Sequence, residues 1–146
     1  MDARPSAEDE PAAGARPLND APPRLFVYGS LRIGQQNPMA ALLHRHARHL
    51  GAGTACGRLY AVEWYPGMVP SDVAGECVAG DVFELDAGAA ERVLARLDEY
   101  EGEAFRRRVI EVAMAGETRV YAFAYLYAAS VADLPRVAHG DWPRRG

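Results

Sequence analysis

Two places in this chain of 146 residues have the residue types and spacing to do chemistry. The first is Glu101. Stepping from Ala90 to Leu94, Leu97 and Glu101 keeps to one helical face, so this carboxylate is aimed where apolar side chains are aimed. A buried carboxylate without a partner is costly and tends to raise its pKa instead. The end of a helix adds to the effect. Its macrodipole is negative there and disfavours the charged form by ~0.3–1 kcal/mol. Both effects push upward, toward the range a general acid/base needs near neutral pH. Gly102 follows and allows a sharp turn. Two other arrangements fit the same spacing. The helix could end at Glu99 and leave Glu101 in water, or Glu101 could pair with Arg106, Arg107 or Arg108.

The second place is the loop Gly29 to Asn37 (GSLRIGQQN), which leaves a buried strand and enters a capped helix. Gly29 permits unusual backbone angles and close ligand approach. Successive backbone N–H groups in such a turn can cradle an anion, and the Ser30 hydroxyl adds a donor. A carboxylate or phosphate suits such a site. The pattern is neither GxxxxGK[ST] nor GxGxxG, so nucleotide binding has no support. Ser30 lacks the GxSxG surroundings of a strand-to-helix nucleophile.

The elements that must position these residues follow from pattern. Residues 1–23 are rich in Pro, Ala, Asp and Glu and poor in large apolar side chains, which predicts a disordered tail. The folded domain is expected over residues 24–146. Arg24 to Tyr28 reads as a buried strand. Asn37 and Pro38 read as the N-cap and first residue of a helix, with Met39, Leu42, Leu43 and Ala47 on one face. His49 to Val62 is extended, and Glu63 to Glu76 reads as a loop rich in Pro and Gly. Trp64, Tyr65 and Met68 on that loop are expected either to shape a pocket or to serve as plain surface packing. Cys77 to Leu85 is a strand with Phe83 and Leu85 on one face and Val78 and Val82 on the other.

Asp86 is expected to cap a helix over residues 88–99, whose stripe is Ala90, Val93, Leu94 and Leu97. Phe105 to Met114 and Thr118 to Tyr127 form a hairpin through Ala115, Gly116 and Glu117. The second strand carries Tyr121, Phe123, Tyr125 and Tyr127 on one face and Val120, Ala122, Ala124 and Leu126 on the other. Both faces look covered, as in a closed sheet. The order is not a repeating βαβ series, so the expected class is α+β, a small mixed β-barrel with flanking helices.

Composition narrows the function. A net charge of −4 gives no reason to expect nucleic acid. No stretch is apolar and long enough to span a bilayer, and the acidic, proline-rich start lacks a signal peptide's pattern. Cys56 and Cys77 form no CxxC, and His44, His46, His49 and His139 show no ligand spacing, so neither a zinc site nor a redox motif is expected. One disulfide between the two cysteines is open to the chain, but nothing in the sequence supports it. The three clustered histidines read as solvated or cap residues. A cytoplasmic monomer without metal or cofactor is the expectation.

Taken together, these residues resemble a family. Phe26-Val27-Tyr28-Gly29-Ser30-Leu31-Arg32, followed by Gly34-Gln35-Gln36-Asn37, is similar to the opening signature of γ-glutamylcyclotransferase-like (avirulence-induced-gene-like) proteins. Leu97-Asp98-Glu99-Tyr100-Glu101-Gly102, followed by an arginine-rich strand, resembles their second signature. Gly140-Asp141-Trp142 is similar to the tail of many bacterial members. The resemblance implies a barrel with a cavity and a small γ-glutamyl compound as substrate. It implies that the Tyr28, Gly29, Ser30 and Leu31 backbone binds the γ-glutamyl group, that Glu101 is the catalytic acid/base, and that Tyr125 lines the pocket. It further implies cyclisation of a γ-glutamyl amide to 5-oxoproline and a free amine, without metal, nucleotide or covalent intermediate. Phe105 stands where some members carry an aromatic hydroxyl. The alternative is a non-catalytic module that binds or senses a γ-glutamyl or other amino-acid ligand in the same cavity.

Overall fold

The computed structural model describes residues 22–142. The expected N-terminal tail lies outside the described residues except for its last two. The elements run β1 (Arg24–Val27), α1 (Pro38–Arg45), β2 (Ala47–Ala61), β3 (Pro66–Pro70), β4 (Cys77–Leu85), α2 (Ala90–Glu101), β5 (Phe105–Met114), β6 (Thr118–Tyr127) and β7 (Arg136–Val137). A single 3-10 turn over Ala115–Glu117 joins β5 to β6, with Gly116 at a φ of 74°.

Five strands close a ring in the order β1-β4-β2-β3-β6 and back to β1. The β1–β6 and β3–β6 pairings are parallel and the other three are antiparallel, so the barrel is mixed. Strand β5 continues from β6 along its whole length and touches β2 at Gly53 and Thr54. The α+β barrel with flanking helices expected from the sequence is therefore the observed fold.

Strand alternation sorts the core into two layers, because side chains along a strand face opposite ways in turn. Phe26, Tyr28, Val78, Val82, Ala122, Ala124 and Leu126 pack together with Leu59 and Met68 from β2 and β3. Leu25, Val27, Phe83, Leu85 and Tyr125 pack on the other face against Leu43 of α1 and Val93, Leu94 and Leu97 of α2. The two faces read for β4 and β6 are both covered, save at Tyr121, which is exposed. Gly80 makes one close approach possible. A Cβ there would lie 2.3 Å from the Val27 carbonyl oxygen and 2.7 Å from the Phe26 ring.

Four local expectations need correction. The segment from Glu63 to Glu76 contains β3, whose register runs from Ala61 opposite Pro66 to Gly57 opposite Pro70. Proline cannot donate to a ladder and is tolerated at strand ends, where these two sit. Asp86 does not cap α2. Its backbone carbonyl takes the Ala89 N–H in a turn, and the helix begins at Ala90 without a side-chain cap. Helix α2 also runs two residues further than expected, to Glu101, where Gly102 ends it at a φ of 81°. Helix α1 ends at Arg45, so Ala47 belongs to β2 rather than to the helix face. No helix among the described residues is long and apolar enough to cross a membrane.

Candidate active site

A cleft of about 160 Å³ opens where the end of β1, the start of β3, the end of α2 and the start of β5 meet. It is lined by Tyr28, Gly29, Ser30 and Leu31 on one side and by Tyr100, Glu101, Phe105 and Tyr125 on another, with Trp64, Tyr65 and Pro66 completing the wall. A water-sized group needs about 10–15 Å³ of such space, so there is room for the roughly nine non-hydrogen atoms of a glutamyl group. Tyr28, Gly29, Ser30, Leu31, Glu101 and Tyr125 thus reach one cleft, together with Trp64 and Tyr65. Met68, expected to shape the pocket as well, does not line it; it is buried in the core beside Leu59 and Phe26.

The loop after β1 is held in place from several sides. Arg32 N–H closes a turn onto the Gly29 carbonyl at 3.1 Å. Asn37 does double duty. Its Oδ1 accepts from Ala40 N–H at 2.8 Å and so caps α1, while its Nδ2 donates to the Ser30 carbonyl at 2.7 Å. His44 Nε2 lies 2.9 Å from the Leu31 carbonyl. With the carbonyls tied back, the amide hydrogens of Gly29, Ser30 and Leu31 donate to no acceptor among the described residues. Three neighbouring N–H groups without partners at a cleft wall are suited to an anion. Gly29 serves close packing rather than unusual backbone angles. Its φ is not positive, and a Cβ there would lie 2.8 Å from Pro66 Cγ.

Beneath the loop, Arg32 is buried and paired. Its Nε donates to Asp81 Oδ2 at 3.0 Å and its Nη1 to Asp141 Oδ1 at 3.0 Å. Asp81 is only 2% exposed and also accepts from Ile33 N–H at 3.2 Å. His49 Nε2 lies 3.2 Å from its other oxygen. The clustered histidines are therefore not simply solvated: His44 and His49 both pack on the Phe83 ring and reach the loop or its anchor.

Glu101 occupies the last position of α2, on the stripe set by Ala90, Leu94 and Leu97. It is partly buried, and no ion pair joins it among the described residues. The nearby arginines are engaged elsewhere. Arg107 Nε pairs with Asp98 at 3.0 Å, and Arg106 and Arg108 bond to backbone carbonyls. Burial without compensation pushes the Glu101 carboxyl up to about 7. The neighbouring tyrosines feel its charge. Burial is the main cause of the raised pKa of Tyr28, Tyr65 and Tyr125, and the Glu101 charge adds to each. All three hydroxyls therefore stay protonated at neutral pH.

The two buried tyrosines are framework as well as lining. Tyr28 Oη donates to the Tyr125 carbonyl at 2.6 Å and accepts from Met68 N–H at 3.1 Å, bolting β1 to β3 and β6. Tyr125 Oη donates to Asp98 Oδ1 at 2.7 Å, so its ring, not its hydroxyl, is what it offers the cleft. The Tyr28→Phe variant strands a buried N–H. Its expected cost is about 1–3 kcal/mol, read as a lower urea midpoint with unchanged slope.

Sequence reasoning missed three residues here. Tyr100 Oη lies 3.1 Å from Ser30 Oγ and ties α2 to the loop. Pro66 packs on Gly29. Asp98 sits one helical turn before Glu101, and that i, i+3 spacing of two carboxylates was the available signal.

The chain matches a family model described as "Gamma-glutamyl cyclotransferase, AIG2-like" over residues 25–144. It is 32% identical over 100 residues to a rat protein named gamma-glutamylaminecyclotransferase, covering 60% of this chain and 62% of the rat protein. The chain thus spans less than two thirds of the length of that relative. It is 32% identical over 122 residues to the Escherichia coli K12 gamma-glutamylcyclotransferase family protein YtfP, covering 82% of this chain and 95% of the other. Among solved structures, a mouse AIG2-like protein superposes with a TM-score of 0.68 at 26% identity, covering 86% of this chain and 91% of that one.

Proposed function

The chain belongs to the gamma-glutamyl cyclotransferase, AIG2-like family, and from that premise we propose that its cleft cyclises a γ-glutamyl amide, releasing 5-oxoproline and a free amine. The observation that carries the proposal is Glu101. It is a carboxylate with no ion-pair partner among the described residues, and it shares a cleft with the unpartnered amides of Gly29, Ser30 and Leu31.

The substrate brings its own nucleophile, the α-amine. Folding the glutamyl chain so that this nitrogen meets the γ-carbonyl makes attack intramolecular, for which effective molarities reach ~10⁵–10⁸ M. Glu101 in its ionised form takes a proton from the attacking nitrogen. The new C–N bond forms, and the γ-carbonyl oxygen gains negative charge. The Gly29–Leu31 amides hold the α-carboxylate or steady that oxyanion. Protonated Glu101 then returns the proton to the departing nitrogen as the old C–N bond breaks. A pKa near 7 suits a group that must both accept and donate. Tyr28 and Tyr125 serve as positioning residues, since their hydroxyls are occupied. The mechanism needs neither metal nor cofactor, and it acts on a small molecule in the cytoplasm. The amine portion extends toward Trp64, Tyr65 and Tyr100. Candidates are γ-glutamyl amino acids, a γ-glutamyl-lysine isopeptide and other γ-glutamylated amines. A panel of such compounds assayed for 5-oxoproline release tests the proposal. A ligand that binds in the cleft yet is never cyclised would instead favour the sensing module.

The pH dependence has a definite sign. The free protein must carry ionised Glu101 to act as base, so kcat/KM falls tenfold per pH unit below about 7. Stability moves the other way. The native carboxyl titrates at about 7 and the unfolded one near 4.5, so between those values the native state binds more protons. Stability is therefore lost as pH rises through that window, by about 3 kcal/mol, and is flat above it. Urea unfolding at pH 5 and pH 8 reads this difference. Glu101→Gln removes the Glu101 contribution.

A further inference from the structure

Cys56 and Cys77 have twenty residues between them in the chain, but they stand directly opposite each other on β2 and β4. The register fixes the kind of pair. Gly57 N–H donates to the Glu76 carbonyl at 3.0 Å, so the next residues along, Cys56 and Cys77, form a pair that exchanges no backbone hydrogen bonds. In such a pair the Cα atoms lie about 4.5 Å apart and the side chains rise on one face, which is within the ~4.4–6.8 Å span of disulfides. Both thiols are free and exposed, so a soluble reagent can reach them.

The position matters because of what the pair brackets. Between the two cysteines runs the segment that carries β3 and the Trp64, Tyr65 and Pro66 wall of the cleft. The base of this segment is already clamped by charge. Glu76 accepts from Arg58 Nε at 2.7 Å and from Arg136 Nη2 at 3.0 Å, and from the Ser71 hydroxyl. A covalent link one register step along acts at the same place.

We propose that Cys56 and Cys77 are a reversible oxidation site, closed by a low-molecular-weight disulfide into a cross-strand bond that staples the base of the segment bearing Trp64, Tyr65 and Pro66. The thiolate of one cysteine attacks the reagent's S–S bond and forms a mixed disulfide, releasing one reagent thiolate. The second cysteine's thiolate then attacks the protein sulfur of that mixed disulfide. The protein disulfide forms, the second reagent thiolate leaves, and the two protons lost from the cysteines are taken up by the two released thiolates. One reagent disulfide is reduced for each protein disulfide formed. Because the bond is exposed, it belongs to the class that thiols readily reduce.

The test uses the full chain, fully reduced and then exposed to oxidised glutathione. The expected product is a monomer two hydrogens lighter than the reduced chain, with no retained glutathione and a peptide map joining Cys56 to Cys77. Closing a loop of about 20 residues raises the Tm by about 10 °C, and dithiothreitol reverses both changes. The Cys56→Ser variant, altered at an exposed position, should instead hold one glutathione on Cys77 and show no such Tm rise. Two separate glutathione adducts on the wild-type chain, a disulfide-linked dimer, or no reaction at all would each overturn the proposal.

Discussion

Replacing Glu101 with glutamine removes turnover while leaving the fold and ligand binding in place. Glutamine matches the size of the side chain but cannot accept the proton of the attacking nitrogen. Loss of a general acid/base lowers the rate by ~10²–10⁴-fold, and here one group is assigned both transfers, so the upper part of that range is expected. Affinity for a γ-glutamyl compound, measured by calorimetry, should change little, because the proposed binding contacts are the Gly29–Leu31 amides. Most informative is the combination with stability. The wild-type protein holds a carboxylate with no ion-pair partner among the described residues in a partly buried place above neutral pH, whereas the amide is neutral throughout. The variant should therefore be inactive and yet at least as stable as wild type at pH 8. A misfolded variant would show the first without the second. A variant that released 5-oxoproline at near wild-type rate would end the assignment of Glu101.

The residues on which this rests differ in how far sequence could reach them. Glu101 was legible because helical periodicity is a local rule, and Leu94 and Leu97 pointed to its face. The Asn37-Pro38 start of α1 and the β5–β6 hairpin were legible for the same reason: cap and turn chemistry act over a few residues. The two faces of β4 followed from alternation alone. What escaped depends on partners far along the chain. Strand β3 exists because β2 lies on one side and β6 on the other, and nothing local to Pro66–Pro70 announces either. The Ser30–Tyr100 contact joins residues seventy apart. Glu101 could equally have met an arginine. What decided it was Asp98, which engages Arg107, so that Glu101, three residues further along the helix, has no ion-pair partner among the described residues.

The same kind of remote contact underlies the second large effect. Asp81→Ala removes the acceptor of a guanidinium that is 4% exposed, and breaking one side of a buried ion pair costs about 3–5 kcal/mol. Chemical denaturation should show a loss of that size, partly offset because Arg32 keeps Asp141 at 3.0 Å. Stability alone does not tell whether the pair also positions the loop, so a second variant separates the roles. Replacing both partners with apolar residues, Arg32→Met with Asp81→Leu, removes the buried charges together, and such exchanges are often neutral or stabilising. The double variant should regain most of the lost stability. It does not regain the bond from Ile33 N–H to Asp81, or the ion pair that holds Arg32, the residue just after the Gly29–Leu31 amides. If those contacts aim the amides at the substrate, the double variant folds well but shows a KM raised about tenfold or more, the equivalent of losing roughly one charge-assisted hydrogen bond. Wild-type KM in a stable double variant would reduce the pair to a part of the core and leave Asn37 and His44 as the residues that hold the cradle.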